Sequence, residues 1–297
     1  MRILIANLFA LLSLPAAAGL KVFATVPEWA ALAREIGGAD VQVYAATHAL
    51  QDPHRIEAKP SLIARARSAD LAIATGAELE AGWLPVVLRE SGNSRIQVGA
   101  PGHFEAARQV RMLEIPARVD RAEGDVHAAG NPHIQTDPRN ILLVGEALAE
   151  RMASLDPAGA AAYRSAWARF AADWRARIAA WEKAAAPLKG VPVVVQHKSF
   201  PYLFDWLGMK EAATLEPKPG IEASAAHLAR VVAQTAAAKP RLVLRAAYDA
   251  PRASEGYGRQ TGVPVVVLPF TVGGSEQAQD LAGLYDDTLA KLLQALK

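Results

Sequence analysis

Three histidines, His54, His133 and His197, stand in short polar motifs far apart along the sequence (DPH, NPH and QHK). Each motif falls where a strand or tight loop is expected to give way to a helix, so the imidazoles could be aimed into one site. Three neutral imidazoles make a nitrogen-rich site of intermediate softness, and one added carboxylate completes the four-coordinate shell that Zn²⁺ favours. The chain contains no cysteine. The pattern therefore indicates the binding of a transition metal ion.

Short apolar runs alternate with amphipathic segments in both halves of the chain. The predicted strands span 21–25, 41–45, 71–75, 95–98, 191–195, 212–215, 241–244 and 263–268. The predicted helices span 28–36, 61–68, 200–206, 223–236 and 281–293. Continuous apolar strands followed by helices are typical of parallel sheets covered on both faces. We therefore predict an α/β protein with two similar lobes.

One long helix is predicted between the two halves. Trp167, Trp174 and Trp181 recur there at intervals of seven residues, which places them on one stripe of an amphipathic helix. Asp156 is the expected N-cap, with Pro157 in the first turn. An aromatic stripe of this kind is usually core, so the helix should join the lobes as a stiff rod. Any opening motion between the lobes should then be small.

The N-terminal segment is interpreted as a cleavable secretory signal. Arg2 precedes an apolar run from Ile3 to Leu14, and cleavage is expected after Ala18 at a site of small residues. The run is too short for a permanent transmembrane helix. The predicted organisation is a signal peptide at 1–18, a first lobe at 19–155, the linking helix at 156–187 and a second lobe at 188–297. The mature protein is expected in the periplasm.

The charge balance argues against one large class of partners. Lys and Arg number 32 against 30 Asp and Glu, and no basic run with interleaved aromatic residues occurs. A nucleic-acid-binding surface needs concentrated positive charge, so no nucleic acid partner is expected. The length of 297 residues suits two medium-sized lobes better than a single core.

The three histidine motifs and their neighbours resemble those of one family, the zinc- and manganese-binding solute-binding proteins of ABC importers, in which a rigid helix joins two lobes. The similar segments are QDPH at 51–54 with PS at 60–61, NPH at 131–133 with TDP at 136–138, and QHKSF at 196–200 with YL at 202–203 and LG at 207–208. The resemblance covers essentially the whole mature chain in order. It implies a periplasmic receptor that captures a free divalent ion in the interlobe cleft and delivers it to a membrane permease. The protein is expected to be a monomer and not an enzyme.

The resemblance also bears on the metal and on the fourth ligand. A histidine at the third position, where manganese binders often carry glutamate, favours Zn²⁺ over Mn²⁺. Asp280, before the terminal helix, stands where the family places a C-lobe aspartate, and it is the expected fourth ligand. The same residue could cap that helix. Asp249 and Glu255, in the loop after the strand at 241–244, remain alternatives.

Of the other histidines, His127 and His48 lie close to two of the motifs and could assist capture, whereas His103 and His227 are expected on surfaces. The chain also departs from the family pattern. Arg55 stands where an aromatic residue commonly follows the first histidine.

Three alternative functions use similar residues: a Mn²⁺ receptor of the same family, a binding protein for a metal chelate such as a siderophore or corrinoid, and a zinc-dependent hydrolase with Asp280 as its base. The sequence contains no local His-Glu-x-x-His pair that would favour the hydrolase. A chelate binder would need a cleft with basic or aromatic lining rather than converging histidines.

Overall fold

The computed structural model describes residues 19–117 and 127–297, so the predicted signal segment at 1–18 lies outside the described residues. The chain forms two four-stranded sheets in which every neighbouring pair is parallel. The first sheet has the order β2 (Gln42–Ala45), β1 (Lys21–Ala24), β3 (Leu71–Ala74), β4 (His103–Glu105). The second has the order β6 (Lys210–Thr214), β5 (Pro192–Val195), β7 (Leu242–Ala246), β8 (Val265–Leu268). This repeated order confirms the predicted α/β fold of two similar lobes.

Helices cover both sheets, and many begin with proline in the first turn, where the missing N–H costs nothing. The first lobe contains α1 (Pro27–Gly37), α2 (Pro60–Arg67), α3 (Leu84–Ser91) and α4 (Pro138–Leu155). The long helix α5 (Ala160–Ala184) follows. The second lobe contains α6 (Pro201–Leu207), α7 (Ala225–Thr235), α8 (Arg252–Thr261) and α9 (Leu281–Ala295). Helices α3, α4 and α8 were not predicted from the sequence.

Helix α5 is tied to elements of both lobes. Its 25 residues span about 37 Å at about 1.5 Å per residue. Trp174 and Trp181 are buried, as predicted. The indole N–H of Trp174 donates to the carbonyl of Pro138 at the start of α4, and that of Trp181 donates to Asp286 on α9. A single apolar cluster continues from the first sheet through α4 and α5 to the second sheet. The two lobes therefore share one core.

Two details of the sequence analysis were wrong. The predicted strand at 95–98 is a 3₁₀ turn at Ser94–Ile96, and the fourth strand is β4. Val98 is 69% exposed, and Gly99 has φ +87°, so this segment turns before the chain can pair with β3. Asp156 is not the N-cap of the long helix. It follows the end of α4, and its carboxylate accepts a hydrogen bond from the Tyr163 hydroxyl.

The carboxyl ends of the strands in each parallel sheet lie at one edge, where ligand sites of α/β proteins gather. The loops after β2 and β5 leave this edge and carry the DPH and QHK motifs. Across 19–117 and 127–297, no helix is both long and apolar enough to cross a membrane.

Candidate metal centre

The structure brings His54, His133 and His197 together between the two lobes. One ring nitrogen from each lies within 4.8 Å of those from the other two. The ring centroid of His54 lies 5.3 Å from that of His133 and 5.8 Å from that of His197. The centroids of His133 and His197 are 5.6 Å apart. Within the described ranges, this is the one cluster of three or more His, Asp or Glu side chains with such spacing.

The first two histidines are aimed by the same local turn. In DPH, the backbone N–H of His54 donates to the carboxylate of Asp52 at 3.0 Å. In NPH, the backbone N–H of His133 donates to the side-chain oxygen of Asn131, also at 3.0 Å. A short Asx side chain that accepts from the amide two residues later forms a compact turn. Proline at the middle position restricts the backbone further. The Asx-Pro-His pattern that the two motifs share is therefore explained by the turn that both form.

The third histidine is held by the end of a strand. One residue, Gln196, separates His197 from the end of β5. The backbone N–H of Gln196 donates to the carbonyl of Leu244 and so extends the pairing of β5 with β7. The side-chain amide of Gln196 donates to the carbonyl of Ala250 at 2.6 Å. This anchors the strand end to the loop after β7. His197 therefore projects from a rigid edge of the second sheet.

Two of the three rings are oriented by carboxylates. The Nδ1 atom of His54 lies 2.8 Å from Oδ1 of Asp52, and the Nδ1 atom of His197 lies 2.7 Å from Oε2 of Glu216. A carboxylate that accepts the Nδ1 proton fixes the tautomer in which Nε2 carries the free lone pair. The Nε2 atom of His54 is buried and has no hydrogen-bond partner among the described residues. Its lone pair is available to a metal ion.

His133 lies deepest, with 1% of its surface exposed. Neither of its ring nitrogens has a hydrogen-bond partner within 19–117 and 127–297. Buried polar atoms without partners are costly and uncommon in native proteins. The ring edge contacts Phe270, with centroids 5.2 Å apart. A bound cation would satisfy one nitrogen of this otherwise apolar pocket.

The electrostatic environment differs between the rings. Burial, followed by the charges of His54, His197 and His127, holds the pKa of His133 well below its usual value of 6.5. The pKa of His197 is raised: burial opposes protonation, but the hydrogen bond and charge of Glu216 outweigh it. The His133 ring is therefore neutral near pH 7, whereas the His197 ring holds its proton more tightly.

The structure does not bring Asp280 to the three histidines. Asp280 caps α9, where its Oδ1 accepts from the backbone N–H of Gly283 at 2.7 Å. It is exposed and lines a groove along α5 with Arg169 and Arg177. Burial and the charge of Asp280 raise the pKa of Glu35 on the same side of the molecule. The loop before α9 folds back toward that helix, and this takes Asp280 away from the cleft.

The two alternative carboxylates are placed differently. Glu255 lies on α8 and pairs with Arg259 at 3.6 Å. Asp249 lines a cavity of about 170 Å³ together with Asp52 and Glu216. Burial raises its pKa to about 6, although the charge of His197 acts in the opposite direction. Of the three carboxylates named from the sequence, Asp249 is the one that lies beside the histidine cluster.

One further histidine reaches the cluster. The rings of His127 and His54 have centroids 5.3 Å apart, and His127 lines a second cavity, of about 220 Å³, with His133 and His197. The remaining histidines lie elsewhere. His48 is exposed on a loop, His103 contacts Glu105 within β4, and His227 lies on α7.

Polar contacts bridge the lobes beside the cluster. The ammonium group of Lys198 lies 2.9 Å from the carboxylate of Glu114 in the first lobe. The side-chain amide of Asn131 donates to the carbonyl of Lys198 at 2.8 Å. Glu114 and Glu216 were not predicted as site residues, because they stand in loops outside the histidine motifs. The position of Glu216 just after β6, at the same sheet edge as His197, is the signal that could have identified it.

Comparisons with known proteins identify the family and the fold of the chain. A family model described as "Zinc-uptake complex component A periplasmic" matches residues 22–297. A crystal structure of ZnuA has a TM-score of 0.78 at 20% identity, over 94% of this chain and 100% of that chain. A Mn-bound periplasmic metal binding protein from Candidatus Liberibacter asiaticus has a TM-score of 0.76 at 16% identity, with the same coverage. A ZnuA deletion mutant with zinc bound has a TM-score of 0.73 at 21% identity, over 94% and 96% of the two chains. The family match confirms the predicted family, and the structures confirm the fold.

Proposed function

The chain belongs to the family of the periplasmic zinc-uptake component A, and from this premise we propose that it is a receptor for one Zn²⁺ ion. The ion would be bound in the interlobe cleft by His54, His133 and His197 and passed to the membrane permease of an ABC importer. The observation that carries the proposal is the convergence of three imidazoles, from loops far apart in sequence, to within 4.8 Å.

The donor set favours zinc over manganese. Imidazole nitrogen suits Zn²⁺, whereas Mn²⁺ prefers carboxylate, carbonyl and water oxygens. Zn–N bonds of about 2.0–2.1 Å in tetrahedral geometry place ligand nitrogens about 3.4 Å apart. Nitrogens that already lie within 4.8 Å therefore need to move by only about 1 Å. Such shifts are within reach of loop side chains even if the shared core and α5 keep the lobes in place.

For the fourth position, His127 is better placed than Asp280. Its ring lies against His54, and it lines the cavity that His133 and His197 also line. Asp280 would have to leave its helix cap and cross to the cleft. Four imidazole ligands would carry no net charge. The carboxylates of Asp52 and Glu216, which would not bind the ion directly, would then offset its positive charge.

Metal analysis of protein purified without an affinity tag tests the proposal directly. We expect about one zinc per chain, and at least a hundredfold loss of zinc affinity when any of the three histidines is replaced by alanine. His227→Ala, which removes a half-buried histidine on α7 outside the cluster, is the matched control and should bind zinc as the native protein does. Equal affinity in the His54→Ala, His133→Ala and His197→Ala variants would place the site elsewhere. Tighter binding of Mn²⁺ than of Zn²⁺ in the same titrations would assign the receptor to manganese.

We also propose that the chain is exported and that residues 1–18 are removed. N-terminal sequencing of protein recovered from a periplasmic fraction should begin at Gly19. Protein that stays in the cytoplasm with Met1 intact would contradict this. Co-purification with a co-expressed ABC permease, lost on depletion of zinc, would test the proposed partner.

A further inference from the structure

One side chain of the first lobe crosses the cleft to the backbone of the second. A guanidinium N–H of Arg55 donates to the carbonyl oxygen of Gly220 at 2.9 Å. Arg55 directly follows the metal-binding His54, and Gly220 lies in the loop after β6. The contact therefore joins the two loops that flank the site, and it does so beside the cavity that Asp52 and Glu216 line.

Both ends of this contact lead to a carboxylate that orients a metal-binding ring. Arg55 lies 3.8 Å from Asp52, the partner of His54. On the other side, the backbone N–H of Gly220 donates to Oε2 of Glu216 at 2.9 Å, and the same oxygen contacts Nδ1 of His197. Gly220 is thus fixed at both its carbonyl and its amide. Its φ of +75° is strained for other residues, so the loop geometry depends on glycine.

We propose that Arg55 is a positioning residue that holds the cleft closed over the bound ion and slows its release. The proposal rests on the proposed zinc-binding function and adds the control of residence time. When the loops that flank the cleft move apart, the bond from Arg55 to Gly220 must break. The loop whose Gly220 amide holds Glu216 against His197 then loses its anchor to the first lobe. Closure of the cleft and orientation of the His197 ring are coupled through this one contact.

The effect should fall on dissociation rather than on capture. The ion enters while the cleft is open, when the contact is not formed, so the association rate does not depend on it. A hydrogen bond with a charged donor contributes modestly in an exposed setting, and the Arg55 side chain is 62% exposed. We therefore expect the zinc dissociation rate to rise by about threefold to tenfold when the contact is lost.

Loss of a positive charge near a cation site would by itself slow the dissociation of zinc, which is opposite to the effect expected from loss of the contact. Arg252 offers a control for this charge effect. Arg252 lines the same cavity as Arg55, but its ion-pair partner, Glu222, belongs to its own lobe at 4.0 Å. Arg252→Met and Arg55→Met remove the same charge and keep an apolar stem. Only the second removes a contact across the cleft.

The test measures zinc dissociation by stopped flow after the loaded protein is mixed with an excess of a chromogenic chelator. Arg55→Met should release zinc about threefold to tenfold faster than Arg252→Met, with unchanged stoichiometry and association rate. Arg55→Lys, which keeps a cationic donor, should recover part of the difference. In zinc-loaded protein, backbone amides at 216–221 should exchange hydrogen faster in Arg55→Met than in Arg252→Met.

Equal dissociation rates in Arg55→Met and Arg252→Met would overturn the proposal, as would an Arg55→Lys variant no slower than Arg55→Met. These failures differ from failure of the proposed function. If the native protein binds one zinc but Arg55→Met releases it at the control rate, only the role of Arg55 is lost. If the native protein takes up no zinc, the receptor function is lost, and the role of Arg55 with it.

Discussion

The Nδ1 atom of His197 and the Oε2 atom of Glu216 lie 2.7 Å apart, and the pair has a counterpart across the cleft in His54 and Asp52 at 2.8 Å. Each lobe thus supplies one imidazole together with the carboxylate that sets its tautomer. The third ring, that of His133, has no such partner among the described residues and is almost completely buried. The carboxylates of Asp52 and Glu216 leave the Nε2 lone pairs of His54 and His197 available on the side of His133. Zinc binding should therefore depend on residues that do not contact the ion.

Removal of either orienting carboxylate should weaken zinc binding without abolishing it. Glu216→Gln and Asp52→Asn keep the size of the side chain but remove the charge that stabilises the metal-binding tautomer. Loss of such partners typically lowers metal affinity by about tenfold to a hundredfold. Competition with a chelator of known affinity measures the change. Glu222→Gln, which lies in the same cavity but pairs with Arg252, is the control. Unchanged affinity in Glu216→Gln would show that His197 needs no orienting group.

Zinc affinity should fall as the pH is lowered, because protons compete with the metal for imidazole nitrogen. His197 determines the pH at which the affinity begins to fall, because its raised pKa lets it bind a proton above pH 6.5. His133 contributes little, because its pKa is depressed and it stays neutral over that range. In Glu216→Gln the fall should begin at lower pH, as the pKa of His197 loses the group that raises it. Titrations from pH 8 to 5.5 measure this, and an affinity independent of pH would contradict an imidazole site.

Another contact between the lobes should make folding stability depend on pH. Glu28, at the start of α1, is 2% exposed, and its carboxylate accepts a hydrogen bond from the hydroxyl of Thr271 after β8. Burial raises the pKa of Glu28 from 4.5 to about 7; the bond from Thr271 opposes this, and the charge of Glu80 adds to it. The folded state holds the proton of Glu28 more tightly than the unfolded state does. The stability that this proton contributes is therefore complete below pH 4.5 and is lost as the pH rises to about 7.

The substitution that tests this is Glu28→Gln, which is neutral at every pH and can still accept from Thr271. The shift corresponds to about 3 kcal/mol at about 1.36 kcal/mol per pKa unit. The variant should therefore match the native protein near pH 4.5 and exceed its free energy of unfolding by up to about 3 kcal/mol at pH 8. Urea denaturation at both values measures this. Glu276→Gln, on an exposed loop, should show no such difference, and a constant offset for Glu28→Gln would rule out the linkage.

The sequence predicted those features that depend on local chemistry. The DPH and NPH motifs specify their own turns, so the direction of His54 and His133 is encoded within three residues. The QHK motif gains its position from β5, a run of apolar residues that is readily predicted as a strand. In contrast, Glu114 reaches Lys198 of the other lobe only through the relative placement of loops, which no local pattern carries. Glu216 and His127 had weaker signals, a position just after β6 and closeness to the NPH motif, and neither signal fixes a contact with the cluster. The predicted strand at 95–98 failed for a related reason, because an apolar run does not reveal that a positive-φ glycine turns the chain at Gly99.

Asp280 is the clearest case of two roles that the sequence cannot separate. An aspartate before a helix is a good N-cap, and an aspartate at this place in the family is an expected ligand. In the structure, Asp280 caps α9 and faces the groove along α5. If capping is its role, Asp280→Ala should lower the free energy of unfolding by about 1 kcal/mol, because the N–H of Gly283 loses its acceptor. Asp280→Asn should retain most of that stability, since asparagine caps about as well as aspartate.

Zinc binding then separates the two roles. Both Asp280 variants should bind zinc with the affinity of the native protein, while His127→Ala should bind it more weakly, because the fourth imidazole lies against His54. Asp249→Asn serves as the carboxylate comparison, since Asp249 lies beside the cluster without capping a helix. Chelator competition gives the affinities and urea denaturation the stabilities, measured on the same protein samples. If Asp280→Asn keeps its stability but loses zinc affinity by tenfold or more, the loop before α9 must close on the ion and Asp280 is a ligand after all.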